Sequence, residues 1–328
     1  MDLKLRSSSP VATAAWRLID AVLAPFAAVA AIIMKAVRRG GISHLPLTLA
    51  TFRRIGVFPL LDHYYEPLIN PTLLRRPLSA ERDLPAVDMN VDEQLLLLEK
   101  FDYADELRAF PREEQPGLGY YFENSMFGSG DAEFLYNIIR LYKPRRLIEI
   151  GSGQSTRIAA AAITANRREN ENAACRHVCV EPYEAGWLDQ LGVTVVRTPV
   201  EQLDKAMVDD LEPNDVLFID SSHMIRPQGD VLHEYLELLP RLRSGVLVHV
   251  HDIFTPRDYP KEWIVDENRF WNEQYLLEAF LSYNSQFKII GAVNFLKHHY
   301  PEQISRCCPV LGAELTAREP GSFWMQRV

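Results

Sequence analysis

The chain has 328 residues, enough for one large α/β domain with an extra segment or for two modest domains. Hydrophobic residues make up 47% and charged residues 24%, close to the globular average, which excludes disordered, collagen-like and coiled-coil chains. Lys and Arg number 35 against 44 Asp and Glu, a net charge of −9 that disfavours nucleic acid as a partner.

The cysteines Cys175, Cys179, Cys307 and Cys308 form no CxxC pair. That spacing suits neither a zinc site nor a disulfide framework and points to a reducing, cytoplasmic compartment. From the amino terminus, Leu18 to Met34 is nearly all apolar, interrupted by Asp20 and Pro25 and followed by Lys35, Arg38 and Arg39. The uncharged run Ala21 to Met34 is shorter than the roughly 20 residues that span hydrocarbon. Its charges mostly follow the run, against the order in a signal peptide. Three fates stay open for the helix expected over residues 1–40: burial or homo-oligomer formation, peripheral membrane contact through residues 12–39, and a true span.

Residues 41–119 read as an irregular and helical cap. The prolines from Pro59 to Pro116 forbid long helices except over Asp92 to Phe110, where Leu95, Leu98, Phe101 and Leu107 fall near helical spacing. Tyr64, Tyr65, Tyr120, Tyr121 and Phe122 either pack this cap or line a substrate cleft. From residue 120 to 328 the pattern is that of an α/β domain. Gly130 to Tyr142 predicts an amphipathic helix, Arg146 to Ile150 a strand, and Arg157 to Ala165 an Ala-rich helix, with a loop over Asn166 to Asn172. Arg176 to Val180 and Asp215 to Ile219 predict further strands, Val231 to Leu242 a crossover helix with Leu232, Tyr235, Leu236 and Leu239 on one face, and Gly245 to Val250 another strand. Phe287 to Ala292 and Ser322 to Gln326 close the domain as a strand pair.

Between the first strand and its helix lie Gly151, Ser152, Gly153, Gln154, Ser155 and Thr156. Strand, glycine turn and helix together hold nucleotide-like ligands, because glycine admits close approach and the helix start offers free N–H groups. A dinucleotide fingerprint needs glycine where Thr156 stands. Glu181, ending the next strand, is placed to accept hydrogen bonds from ribose hydroxyls, and Glu149 precedes the first glycine.

The run Glu149 to Thr156, then Glu181-Pro182, then Phe218 to His223, then His249-Val250-His251-Asp252, resembles a class I S-adenosylmethionine (SAM)-dependent methyltransferase, in the branch of small-molecule O-methyltransferases with an active-site metal. The likeness covers Tyr120 to the carboxyl terminus. It implies a doubly wound, mainly parallel seven-stranded sheet with SAM as cofactor. Glu149, Gly151 and Gly153 would then contact the methionine part and Glu181 the ribose, with Ser152, Ser155 and Asp220 completing the site.

Asp220 and the pair His251 and Asp252 end two strands, where doubly wound sheets bind ligands. Asp220, Asp252 and His251 can hold Mg2+ or another divalent cation, with waters and substrate oxygens completing the shell. Alternatively, Asp220, His223 and His251 act without metal, an imidazole serving as general base. Structural roles compete: Asp220 as a turn cap, His249 as a core residue, His223 as a backbone partner. Ile253 to Trp263, with Trp263, Phe270, Trp271 and Tyr275 after it, can fold over the acceptor side as a lid. The expected function is methyl transfer to a small-molecule acceptor, most simply a hydroxyl on a sugar, polyketide or related metabolite. A nicotinamide-dependent oxidoreductase and a non-catalytic SAM-binding module docked through the first helix are the alternatives.

Overall fold

Strands covered on both faces read as unbroken apolar runs, and this chain has a set of them in parallel array. The computed structural model describes residues 10–183 and 185–328, which divide into two units between Leu74 and Arg75. The expected cap is therefore cut, and residues 75–119 belong to the second unit.

The first unit contains α1 (Pro10–Arg39) and α2 (Pro46–Ile55), with Gly56 closing α2 at φ 79. Tyr64 and Tyr65 are exposed and line no cleft.

In the second unit the expected helix over Asp92 to Phe110 is two helices, α3 (Val91–Leu98) and α4 (Ala104–Arg108). The break lets Phe101 turn inward, its ring edge-on to Phe134 at 5.2 Å. Then comes α5 (Asp131–Tyr142), opened at Gly130, whose N–H donates to the Glu133 carboxylate at 3.0 Å. One seven-stranded sheet follows: β1 (Arg146–Ile150), β2 (Arg176–Val180), β3 (Thr194–Val196), β4 (Val216–Ile219) and β5 (Leu247–Val250) run parallel. β6 (Phe287–Ala292) and β7 (Phe323–Arg327) pair antiparallel, giving the order β3-β2-β1-β4-β5-β7-β6. The edge strand β3 is too short to stand out in the sequence.

The Ala-rich helix α6 spans Gln154–Glu169, longer at both ends than its periodicity suggests. Asn166, expected in a loop, is buried on it and donates to the Ile139 carbonyl at 2.8 Å. After the single turn α7 (Ala206–Asp209), the β4 to β5 crossover is only one helical turn, α8 (Asp230–His233), followed by a π-helical turn at Glu234–Leu238 and a 3-10 turn holding Pro240. The wider turn rotates Leu236 out to solvent, away from the face shared by Tyr235 and Leu239. α9 (Glu273–Leu281) precedes β6, and α10 (Val293–His299), α11 (Pro301–Cys307) and α12 (Pro309–Ala313) fill the long connection to β7.

Side chains alternate across the sheet as the pleat requires. In β4, Val216 and Phe218 join the core under α5 and α6, while Leu217 and Ile219 join the core under the crossover and α9. Tyr120 and Phe122 are fully buried in the first of these, as packing residues.

Candidate functional site

β1 ends in Glu149 and Ile150, and the chain then turns sharply through Gly151 at φ 77. A Cβ there would lie 1.9 Å from the Asp220 carbonyl oxygen, so only glycine lets the turn pass the end of β4. Gly153 differs. Its φ is −170, extended backbone open to any residue, and a Cβ built on it meets no atom within 4 Å. The fold leaves an open cradle at Gly153, beside the first N–H groups of α6, where the buried Gln154 Oε1 has no partner.

Glu149 does not face that cradle. It is 1% exposed, accepts hydrogen bonds from the Ser155 and Thr156 hydroxyls, and lies 3.0 Å from His177 Nε2. Glu149 and Ser155, expected at the ligand, are paired with each other here: a carboxylate in an apolar sheet must be paired, and Ser155 turns inward to pair it. Thr156 also accepts from the Gly153 N–H at 3.1 Å, which tethers the turn to the helix. Glu181, ending β2, accepts from the backbone N–H of Ser152 at 3.2 Å and of Tyr183 at 2.9 Å. A carboxylate has lone pairs beyond those two bonds with which to accept from ribose hydroxyls.

The ends of β4 and β5 bring the acids and imidazoles together. His223 and Asp252 both hold the left-handed conformation, each at φ 59, a strained state that functional sites tend to retain. His223 Nε2 lies 3.3 Å from Asp220 and 3.4 Å from Asp252, while its Nδ1–H donates to Glu273 at 2.8 Å. His251 Nδ1 is 3.5 Å from each of the same aspartates, and its Nε2 is 3.7 Å from Asp131 at the start of α5. Asp220, His223 and Asp252 offer ligand atoms all within 4.8 Å of one another. The cation trio expected from sequence named His251, which does approach both aspartates; the turn after β4 also swings the His223 imidazole between the two carboxylates, and it is His223 whose ligand atom groups with theirs. His249 is a core residue, stacked on Phe218 at 4.0 Å with its Nε2 3.0 Å from the Ser322 hydroxyl.

Burial disfavours the imidazolium of His223, yet its hydrogen bonds to Asp220 and Glu273 outweigh that and push its pKa up to about 10. His251 is likewise raised, against burial, by the charges of Asp252 and Asp220. Asp220 is itself also opposed by burial but ends lowered by the imidazolium of His251 and by His223, whereas burial leaves Asp252 raised. Both imidazoles are shifted toward the protonated form, and Asp252 is the more basic carboxylate of the pair.

Residues 148–253 match a family model described as a methyltransferase domain. That match spans β1 to the end of β5, the part of the sheet that holds the glycine turn and the acid and imidazole cluster. An uncharacterized protein of Archaeoglobus fulgidus is 29% identical over 177 residues, which cover 49% of this chain and 77% of that protein. A crystal structure of the O-methyltransferase from Bacillus cereus in complex with SAH aligns over 72% of this chain and 91% of its own, at 16% identity and a TM-score of 0.32.

A methyltransferase domain uses SAM, and the open Gly153 cradle, the α6 amino terminus and Glu181 are the groups that could hold it. Two residues of the cluster escape a reading of the sequence. Glu273 comes from the start of α9 and Asp131 from α5, both brought in only by tertiary packing. The aromatic segment beyond β5 stands against the cluster: Trp271 is 4.4 Å from the His223 ring, and Arg269 lies over both Trp271 and Trp263 at 4.5 and 4.6 Å.

Proposed function

We propose that the methyltransferase acts on the hydroxyl of a small-molecule acceptor held at the ends of β4 and β5, with a divalent cation bound by Asp220, His223 and Asp252. The observation that carries the reading is His223 Nε2 seated 3.3 and 3.4 Å from two carboxylates, a donor set of one nitrogen and two acids around a single point. Bound SAM supplies an electrophilic methyl group. A hydroxyl must lose its proton as it takes up that methyl, and a cation that binds it lowers its pKa for the purpose. His223 must shed its own proton to bind the cation. Without a cation, Asp252, its pKa raised by burial, would take the hydroxyl proton itself. Glu273 holds His223 by Nδ1 and aims Nε2 at the aspartates. Trp271 gives the acceptor an apolar wall beside His223 and helps exclude water.

The test is transfer of labelled methyl from SAM to a panel of hydroxylated acceptors. With an acceptor in hand, excess chelator abolishes turnover and Mg2+ or Mn2+ restores it. Asp220→Asn and Asp252→Asn each lower turnover at least about a hundredfold. Full turnover in chelator would remove the cation from the reading and leave Asp252 as base alone.

A further inference from the structure

The first helix has properties that the chemistry of the second unit does not use. α1 runs for 30 residues, and over Ala12–Arg39 it is apolar and long enough to cross a bilayer, with none of its most apolar stretch buried. A core helix of that composition would be covered. Here Leu18, Ile19, Val22, Leu23, Phe26, Val29, Ile32 and Ile33 are all exposed, Phe26 at 72% and Val29 at 60%.

The opposite side of the helix decides which apolar medium fits. At 100° per residue, Ala21, Ala24, Ala27, Ala28 and Ala31 fall across from the large side chains, so from Ala21 to Met34 neither side carries a polar residue. A helix resting in the headgroup plane needs a charged face toward water along its length; Arg17, Asp20, Lys35, Arg38 and Arg39 share the alanine side but only at the two ends, and between them about four turns of α1 offer water no polar group. Its charges sit at the ends. Trp16 and Arg17 lie at one, Lys35, Arg38 and Arg39 at the other, and the stretch from Trp16 to Lys35 at about 1.5 Å per residue matches the roughly 30 Å of hydrocarbon. Asp20 is one turn inside the first end, within snorkelling reach of the headgroups.

The second end is tied into the fold. Arg38 pairs with Glu66 and its guanidinium lies 4.9 Å over the Phe58 ring, so the helix continues into the structure of its unit. Beyond that end the near residues carry Lys35, Arg38, Arg39, Arg53 and Arg54, against Lys4, Arg6 and Arg17 on the other side. That excess places the following chain on the cytoplasmic side.

We propose that α1 is a single transmembrane anchor that holds the chain to a lipid bilayer with everything after Arg39 in the cytoplasm. This is independent of the acceptor and of the cation.

The test expresses the full chain in bacterial cells and fractionates the membranes. The expected result is a full-length chain that stays with membranes through high salt and alkaline carbonate and is released by mild detergent. Protease should spare the domain in right-side-out spheroplasts and digest it in inverted vesicles. Phe26→Asp combined with Val29→Asp, both at exposed positions, shifts the insertion equilibrium by about a hundredfold per aspartate and moves the chain to the soluble fraction. Release by salt alone, a soluble oligomer of wild-type chains, a mature mass lacking the helix, a pellet that detergent does not dissolve, or the reverse protease pattern would each overturn the proposal.

Discussion

Gly151 and Gly153 flank one serine and answer to different constraints. The first is demanded by the fold, since its φ is positive and Asp220 blocks a Cβ; the second is free of the fold and open to a ligand. The sequence shows both as one GxG pattern, and only the three-dimensional turn separates them. Asp220 and Asp252 were legible because they end apolar strands, and strand ends define the cleft. The choice of His223 over His251 was not, because it depends on a left-handed backbone at His223 that no periodicity encodes. Glu149 was read as a ligand contact because its position in the motif is visible while its four buried partners, on α6 and β2, are not. The acid and imidazole cluster also sets a pH response. His223 is raised from 6.5 to about 10, so its folded state holds a proton that the unfolded chain has lost; that stability is complete below about pH 6.5 and disappears as pH rises through 10. His251, raised as well, acts in the same direction. We expect the melting temperature of the metal-free protein to fall steadily from pH 6.5 to 10, and His223→Asn to flatten that slope; a rising or level profile for the wild-type chain would contradict the pairing.

At the scale of elements, β1, β2 and β6 match their sequence runs residue for residue, because each is a short, mainly apolar run between polar or turn-forming stretches, with Glu149, His177 and Lys288 the polar residues inside them. The helices fared unevenly. α5 carries an amphipathic stripe and starts at a glycine, so its bounds were clear. The crossover after β4 was misread as regular, since a π-helical turn and Pro240 interrupt a spacing that looks helical in the sequence. The antiparallel β6 and β7 pair is fastened by Trp324, fully buried between Phe134 at 6.1 Å and His249 at 4.8 Å. Trp324→Ala empties the largest fully buried side chain among the described residues, the one on which Phe134 and His249 pack. We expect a loss of about 3–5 kcal/mol in denaturant unfolding, with a loss below 1 kcal/mol showing that β7 is held by its backbone pairing alone.

At the scale of the whole chain, the sequence marks an apolar helix at one end and a methyltransferase domain at the other, and the structure moves the boundary between its units to Leu74. Residues 75–119 are rich in proline yet place Leu97, Leu98, Phe101 and Leu107 in the main core, a contribution that their irregular spacing conceals. The central claim is that SAM lies in the cradle between β1, α6 and Glu181, beside the cluster at the ends of β4 and β5. Isothermal titration of the full chain with SAM and with SAH, run in parallel on Gly153→Val, tests it most directly. The Gly153 backbone is extended and its surroundings open, so the variant should melt at the wild-type temperature and show no binding, while the wild-type chain binds both ligands. Binding of undiminished affinity by a folded Gly153→Val protein would contradict the claim.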